Sequence, residues 1–267
     1  HDGSVLPGWP QPIPDSGTRV PAVGNIDSDP EKEIILMTNG ALIAWNHDGT
    51  QVPNWPKIDT YGGGVTLANI DSDSALEILV PVTSGTSAKF YAYNGDGSTV
   101  SGWPISNAES SSQGNFLTAY EDGGKILATL KFKSAVYQNN GQLYAQWTKN
   151  ATVNEIFSAS SFIADLNNDG TFEVGEFTDA GFALRSLLGV KTWEKTIEFS
   201  SQGSSAVGDL DGDGFNDVVL STRNSSKKIY AFNHLGEPFV NWPKTVSGED
   251  LYDPILTDLN SDGKEDV

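Results

Sequence analysis

Asp209-Leu210-Asp211-Gly212-Asp213-Gly214-Phe215-Asn216-Asp217 is the stretch whose reading decides the fold. Acidic side chains stand at its positions 1, 3, 5 and 9, with Gly214 at position 6. Oxygens at alternate positions of a tight turn converge on one point. The glycine supplies the bend, the Phe215 carbonyl at position 7 can face the same point, and the acid at position 9 closes it. Such a donor set suits calcium, which takes six to eight oxygen ligands at about 2.3–2.6 Å. Leu210, at position 2, should turn into the fold and anchor the loop. Ala206-Val207-Gly208 precede the loop and Val218-Val219-Leu220 follow it, so it joins strands. An EF-hand needs amphipathic helices on both sides and an acid at position 12, and is excluded.

The same grammar recurs along the chain. Asp165, Asn167, Asp169 and Glu173 form one set, with Gly170 at position 6, and Asp258, Asn260, Asp262 and Asp266 another, with Gly263. Two further sets, Asn25, Asp27, Asp29 and Glu33, then Asn69, Asp71, Asp73 and Glu77, begin with Asn and carry Pro30 or Ser74 at position 6. More carboxylates favour calcium, so the Asp209 loop, with four, is expected to bind tightest; the Asn25 and Asn69 loops, which begin with Asn and lack the glycine, are expected to bind weakest. Asp, Asn and Gly are favoured in any turn. Five copies in one register go beyond turn chemistry. The loops start 44, 96, 44 and 49 residues apart, and 96 is two periods. One repeat therefore lacks the loop, which should fall near Tyr120-Glu121-Asp122-Gly123-Gly124.

Tryptophan marks the same period. Trp9, Trp55, Trp103, Trp147, Trp193 and Trp242 are spaced by 46, 48, 44, 46 and 49, and four are followed by Pro10, Pro56, Pro104 and Pro243. A third landmark is an aromatic strand ending in a turn, as in Ala44-Trp45-Asn46-His47-Asp48-Gly49, Tyr91-Ala92-Tyr93-Asn94-Gly95-Asp96-Gly97 and Tyr230-Ala231-Phe232-Asn233-His234-Leu235-Gly236. Asn-Gly and Asp-Gly between apolar runs signal two-residue hairpins. Each period of roughly 45 residues thus holds four antiparallel strands, which is a propeller blade. Proline cannot donate to a ladder, so the Trp-Pro strand should be a blade's outer edge.

An all-β propeller of about six blades follows, one domain over 1–267. The blades are expected at 15–57, 58–105, 106–149, 150–195, 196–244, and 245–267 completed by 1–14. His1-Asp2-Gly3 aligns with His47-Asp48-Gly49, so the N-terminal and C-terminal strands should close the ring. The last blade is about a dozen residues short, which is compatible with a fragment of a seven- or eight-bladed parent. The chain opens mid-pattern, as a processed or excised piece would, and carries no signal-peptide pattern.

Composition narrows the function. Acids number 35 against 16 Lys plus Arg, a formal charge of −19. That field repels DNA, RNA and anionic lipid, which need clustered cations. Bound divalent cations would neutralise about half of the acids. There are no cysteines, which rules out a disulfide scaffold and a thiolate metal site. Apolar runs such as Ile34-Ile35-Leu36-Met37 are strand-sized, so no membrane insertion is expected.

Ser204-Ser205-Ala206-Val207-Gly208 followed by Asp209 to Asp217 resembles the FG-GAP, or VCBS-type, repeat. That repeat builds integrin α-subunit propellers and many secreted bacterial and archaeal proteins. The resemblance covers nearly the whole chain, the repeat around Tyr120 being degenerate. It implies an extracellular, secreted or cell-surface, integrin-like protein with three to five structural calcium ions. Such propellers serve in adhesion, as lectin-like modules and as accessory domains of exoenzymes, so fold does not fix function.

No enzyme active site is expected. His1, His47 and His234 share one turn position, which suits a solvated loop residue better than a catalytic base. Ser110 to Ser112 and Ser204-Ser205 lack the strand-to-helix elbow of a hydrolase. Paired carboxylates are accounted for by metal ligation. The period-marking Trp residues suit inter-blade packing better than sugar stacking. The leading expectation is a non-catalytic, calcium-binding adhesion module that recognises protein or glycan through loops on one face. The alternative is the propeller of a secreted carbohydrate-active enzyme, polysaccharide lyase-like, or an accessory exoenzyme domain. The irregular stretch 106–150 is the expected place for a specialised surface.

Overall fold

Short apolar runs punctuated by Asn, Asp and Gly form strands, because each run can bury its alternate side chains only against a neighbouring sheet. The computed structural model describes residues 3–14, 20–59, 61–71, 73–84, 87–107, 116–119, 124–130, 133–149, 160–198, 203–222, 227–247, 251 and 253–267. Among them there are twenty strands and no helix. Tyr120–Gly123, Ser110–Ser112 and His1 lie outside the described residues.

The strands form five four-stranded sheets. The first is β1 (Ala22–Gly24), β2 (Glu33–Met37), β3 (Ala41–Trp45) and β4 (Lys57–Ile58). The second is β5 (Thr66–Ala68), β6 (Glu77–Ser84), β7 (Ser87–Tyr93) and β8 (Ile105–Asn107). The third is β9 (Phe116–Ala119), β10 (Lys125–Thr129), β11 (Lys133–Gln138) and β12 (Leu143–Thr148). The fourth is β13 (Phe162–Ala164), β14 (Glu173–Thr178), β15 (Gly181–Ser186) and β16 (Lys191–Thr196). The fifth is β17 (Gly203–Gly208), β18 (Asp217–Thr222), β19 (Lys228–Phe232) and β20 (Lys244–Thr245). In each sheet the strands lie in chain order, the antiparallel meander of a propeller blade. At the C-terminal end a further loop is bridged by the pair Thr257 and Asp266.

Two compact units make up the chain, His1–Leu130 with Tyr137–Tyr144, and Lys131–Val136 with Ala145–Val267. Each has a core of its own. In the first, Ile35, Met37, Leu42 and Ala44 pack with Ile78, Val80, Val82 and Tyr93. In the second, Phe182, Leu184 and Trp193 pack with Val218, Leu220, Tyr230 and Phe232. Central strands such as Ile34-Ile35-Leu36-Met37 are apolar on both faces: Ile35 and Met37 pack with Ile78 and Val80 of the next blade, and Leu36 with Ile43, Trp45 and Trp9. Full burial of each such side chain is worth about 1.5–3 kcal/mol.

The recurring tryptophans bind adjacent blades through their indole nitrogens. Trp9 Nε1 donates to the His47 carbonyl at 3.0 Å, Trp55 to Gly95 at 2.8 Å, Trp103 to Asn139 at 2.9 Å and Trp193 to His234 at 3.1 Å. Every acceptor is the second residue of the turn between the third and fourth strands of the next repeat. Trp147 departs from this, donating to Glu176 Oε1 at 2.7 Å. The Trp9-Pro10, Trp55-Pro56, Trp103-Pro104 and Trp242-Pro243 bonds are cis, and Pro56, Pro104 and Pro243 stand just before the edge strands β4, β8 and β20, where no N–H is needed. At Gly95 the backbone passes so close that a Cβ would lie 1.8 Å from the Ile26 carbonyl.

Candidate metal centres

Four of the acidic loops join the first and second strands of a blade, and the Asp258 loop is closed by the bridge between Thr257 and Asp266. Gly24 pairs with Glu33, Ala68 with Glu77, Ala164 with Glu173 and Gly208 with Asp217, so the position-9 acid opens the second strand and faces back under the loop. Its carboxylate is fixed by the backbone N–H of position 2. Glu33 Oε2 accepts from Ile26 at 2.9 Å, Glu77 Oε2 from Ile70 at 2.6 Å, Glu173 Oε2 from Leu166 at 3.0 Å, and Asp217 Oδ2 from Leu210 at 2.9 Å. Asp266 Oδ2 accepts from Leu259 at 3.1 Å. The position-2 side chains of Ile26, Ile70 and Leu166 are buried and anchor their loops. Leu210 is half-buried and Leu259 exposed.

The remaining oxygens supply the cation test. Glu33 Oε1 and Asp217 Oδ1 are buried without a hydrogen-bond partner. Leaving a buried charged acceptor unpaired is costly, and a metal ion is one group that relieves it. Three carboxylates offer one oxygen each within 4.8 Å of one another in the sets Asp27, Asp29 and Glu33; Asp71, Asp73 and Glu77; and Asp209, Asp211 and Asp217. Two ligands on opposite sides of a calcium ion lie about 4.6–5.2 Å apart, so these clusters fit. They can bind a metal ion.

Electrostatics agree. Burial pushes the Asp217 carboxyl up to about 7, with Asp211, Asp213 and Asp209 adding to it against the pull of the Leu210 N–H. Burial and then Asp71 and Asp73 raise Glu77 to about 6, opposed by the Ile70 N–H. Glu33 and Glu173 are raised above the usual range, first by burial.

Asp165, Asn167, Asp169 and Glu173 do not gather three carboxylate oxygens in this way, nor do Asp258, Asn260, Asp262 and Asp266. Local bonds hold their carboxylates, as they do in the Asp209 loop, where Asp209 accepts from Gly212 N at 2.7 Å and Gly214 N at 2.9 Å. Asp165 accepts from the N–H of Asp169 at 3.2 Å and of Gly170 at 2.8 Å, while Asp169 accepts from Thr171 N at 2.7 Å and from Asn167 Nδ2 at 3.0 Å. Asp258 accepts from Asp262 N at 3.1 Å and Gly263 N at 2.9 Å, which lowers its pKa, Gly263 first. The loops headed by Asn25 and Asn69, expected to be weakest because they begin with Asn and lack the position-6 glycine, bring their acids together as the Asp209 loop does.

Sequence reasoning missed how successive loops are tied. Position 8 of one loop bonds to the start of the loop before it. Leu76 N donates to Asn25 O at 2.9 Å, Asn216 N to Leu166 O at 2.8 Å, and Glu265 N to Asp209 O at 3.0 Å. Asn216 Nδ2 also donates to Asp165 O at 2.8 Å. The only signal in the sequence was the fixed length of the loops. The blade-entry serines are used structurally as well: Ser205 N donates to Ser160 Oγ at 2.8 Å, and Ser204 Oγ to Asp253. His234 stacks on Phe215 with ring centroids 4.5 Å apart. Among the described residues no helix is long and apolar enough to cross a membrane.

No curated protein matches the sequence. Among solved structures, the chain is similar to the V. cholerae biofilm matrix protein Bap1, with 20% identity over 86% of this chain and 40% of that one, and a TM-score of 0.61. It therefore spans 40% of the length of that relative. It is also similar to BBS1N, solved in complex with ARL6DN, with 11% identity over 83% of this chain and 68% of that one, and a TM-score of 0.55. Identities this low show the fold alone. Residues 209–267, which contain the Asp209 and Asp258 loops, match the FG-GAP-like repeat family. Residues 209–267 thus carry an FG-GAP-like repeat, in a chain whose described strands form the four-stranded blades of a β-propeller fold.

Proposed function

We propose that this is an extracellular calcium-binding propeller that acts as a non-catalytic module for adhesion to a protein or glycan. The observation that carries the calcium reading is the pair of buried, unpartnered oxygens, Glu33 Oε1 and Asp217 Oδ1, each in a loop that gathers three carboxylates. The donors are all oxygens on nine-residue loops. Magnesium demands tighter octahedral geometry and keeps its waters, so calcium is the better match. The ions are structural, closing the first hairpin of a blade. Calcium near millimolar, as found outside cells, fills even weak sites of this kind.

The adhesion reading is supported by the likeness to the biofilm matrix protein Bap1 and by the charge of −19, which disfavours polyanionic partners. Titration calorimetry with calcium and metal analysis of the purified chain test the first part. Three to five ions per chain are expected, and an absence of bound metal with no heat of binding would remove the calcium reading. A glycan array and a screen on acidic polysaccharides test the second. Turnover of a polysaccharide would replace the binding module with a lyase-like enzyme.

A further inference from the structure

Glu176 is a buried carboxylate in the middle of a strand where the other blades are apolar. Counting from the position-9 acid, it occupies the slot of Leu36, Val80 and Leu220. Arg185, paired with Val174, stands where Trp45 pairs with Ile34, Tyr93 with Ile78 and Phe232 with Val218. Ser134, three residues before the aromatic slot of β11, replaces Leu42, Phe90 and Phe182. Lys149 follows Trp147 at the spacing by which Lys57 follows Trp55.

These departures meet at one carboxylate. Glu176 Oε2 accepts from Ser134 Oγ at 2.6 Å and lies 3.4 Å from Lys149 Nζ. Glu176 Oε1 accepts from Trp147 Nε1 at 2.7 Å and Arg185 Nε at 2.8 Å. All five residues belong to the second compact unit. The side chains of Glu176, Lys149 and Arg185 are 1%, 5% and 14% exposed, so these charges depend on one another and hardly on water. Burial alone would raise the Glu176 carboxyl, but Lys149, Ser134, Trp147 and Arg185 together hold it below the usual range.

We infer that Glu176, with Lys149, Arg185, Trp147 and Ser134, is a specificity key that fixes which blade follows the Trp147 strand. Apolar blade faces are interchangeable: Leu36, Val80 and Leu220 would each pack on the Leu42 or Phe182 of another blade. Repeats of this kind misassemble and exchange elements between chains. A face carrying Glu176 favours the strand that brings Ser134, Trp147 and Lys149, because an apolar partner removes those three contacts and leaves the buried carboxylate with Arg185 of its own blade alone.

The test compares Glu176→Leu with the triple variant Lys149→Ile, Glu176→Leu and Arg185→Tyr, which restores residues that other blades use. Glu176→Leu should lower the folding equilibrium constant at least about a hundredfold, by stranding Lys149 and Arg185. The triple variant should recover to within about tenfold of the wild type, since apolar replacement of buried ion pairs is often neutral. On refolding from denaturant it should give a mixture of exchanged oligomers on size exclusion, where the wild type gives one species. A triple variant that refolds to one species like the wild type, or a Glu176→Leu chain as stable as the wild type, overturns the inference. Should the triple variant not fold, a double-mutant cycle of Lys149→Met with Glu176→Gln decides: strong coupling supports the key, and additive losses overturn it.

Discussion

Trp147 Nε1 donates to Glu176 Oε1 at 2.7 Å, where Trp55 Nε1 donates to the Gly95 carbonyl at 2.8 Å. One slot in the repeat thus serves two chemistries, a neutral bond and a charge-assisted one. Trp55→Phe should cost about 0.5–1.5 kcal/mol for its hydrogen bond, and Trp147→Phe about 1.5–3 kcal/mol, because the latter takes a donor from a buried carboxylate. Urea unfolding of the two variants compares them, and equal losses would contradict the assignment.

Asp217→Asn should change sign with calcium. In chelator the variant is expected to melt above the wild type, because it removes the unpartnered charge at Oδ1. In calcium it should melt below it, since one site is lost. A filled site at a hundred times its Kd contributes about 2.7 kcal/mol. Thermal unfolding in both buffers reads the crossover, and a variant that is lower in both would count against the metal site.

The calcium-free chain should lose stability as pH rises. Asp217 is raised to about 7 and Glu77 to about 6, against about 4 for unfolded carboxylates. The folded state then holds protons that the unfolded state has released, so this contribution is full below about pH 4 and gone above about 7. Protons compete with the metal, so added calcium should reverse the slope. Urea midpoints of metal-stripped protein between pH 5 and 8 test this, and a midpoint that rises with pH would refute it.

Gly95→Ala should disturb the first loop from a distance. A Cβ there would lie 1.8 Å from Ile26 O, and the residue also accepts the Trp55 indole. Overpacking of this kind costs about 1–3 kcal/mol. The variant is expected to bind calcium more weakly at the Asn25 loop, and unchanged calorimetric affinities would argue against that coupling.

Much of this fold was legible because the repeat is spelled in residues with few alternatives. Trp-Pro marks an edge, Asp-Gly a turn, and the position-9 acid the start of a second strand. The geometry within each loop was less legible. Asp169, bound to Thr171 N and Asn167 Nδ2, joins no cluster of three carboxylates, while Asp29, bound to Glu31 N, does, and carboxylate counting cannot separate the two. Glu176 was hidden because Glu-Val-Gly-Glu-Phe-Thr reads as an ordinary alternating strand. Aligning it with Leu36, Val80 and Leu220 would have exposed it, as would Arg185 in an aromatic column.

The bonds from Leu76 N to Asn25 O and from Glu265 N to Asp209 O make neighbouring loops share backbone. An ion that stiffens one loop removes part of the entropy its neighbour would otherwise lose on filling. Calcium uptake by such pairs should therefore be cooperative, with a binding curve steeper than that of independent sites. Loss of one ion would loosen the adjoining hairpin too, so the chain would sense falling calcium over a narrow range of concentration.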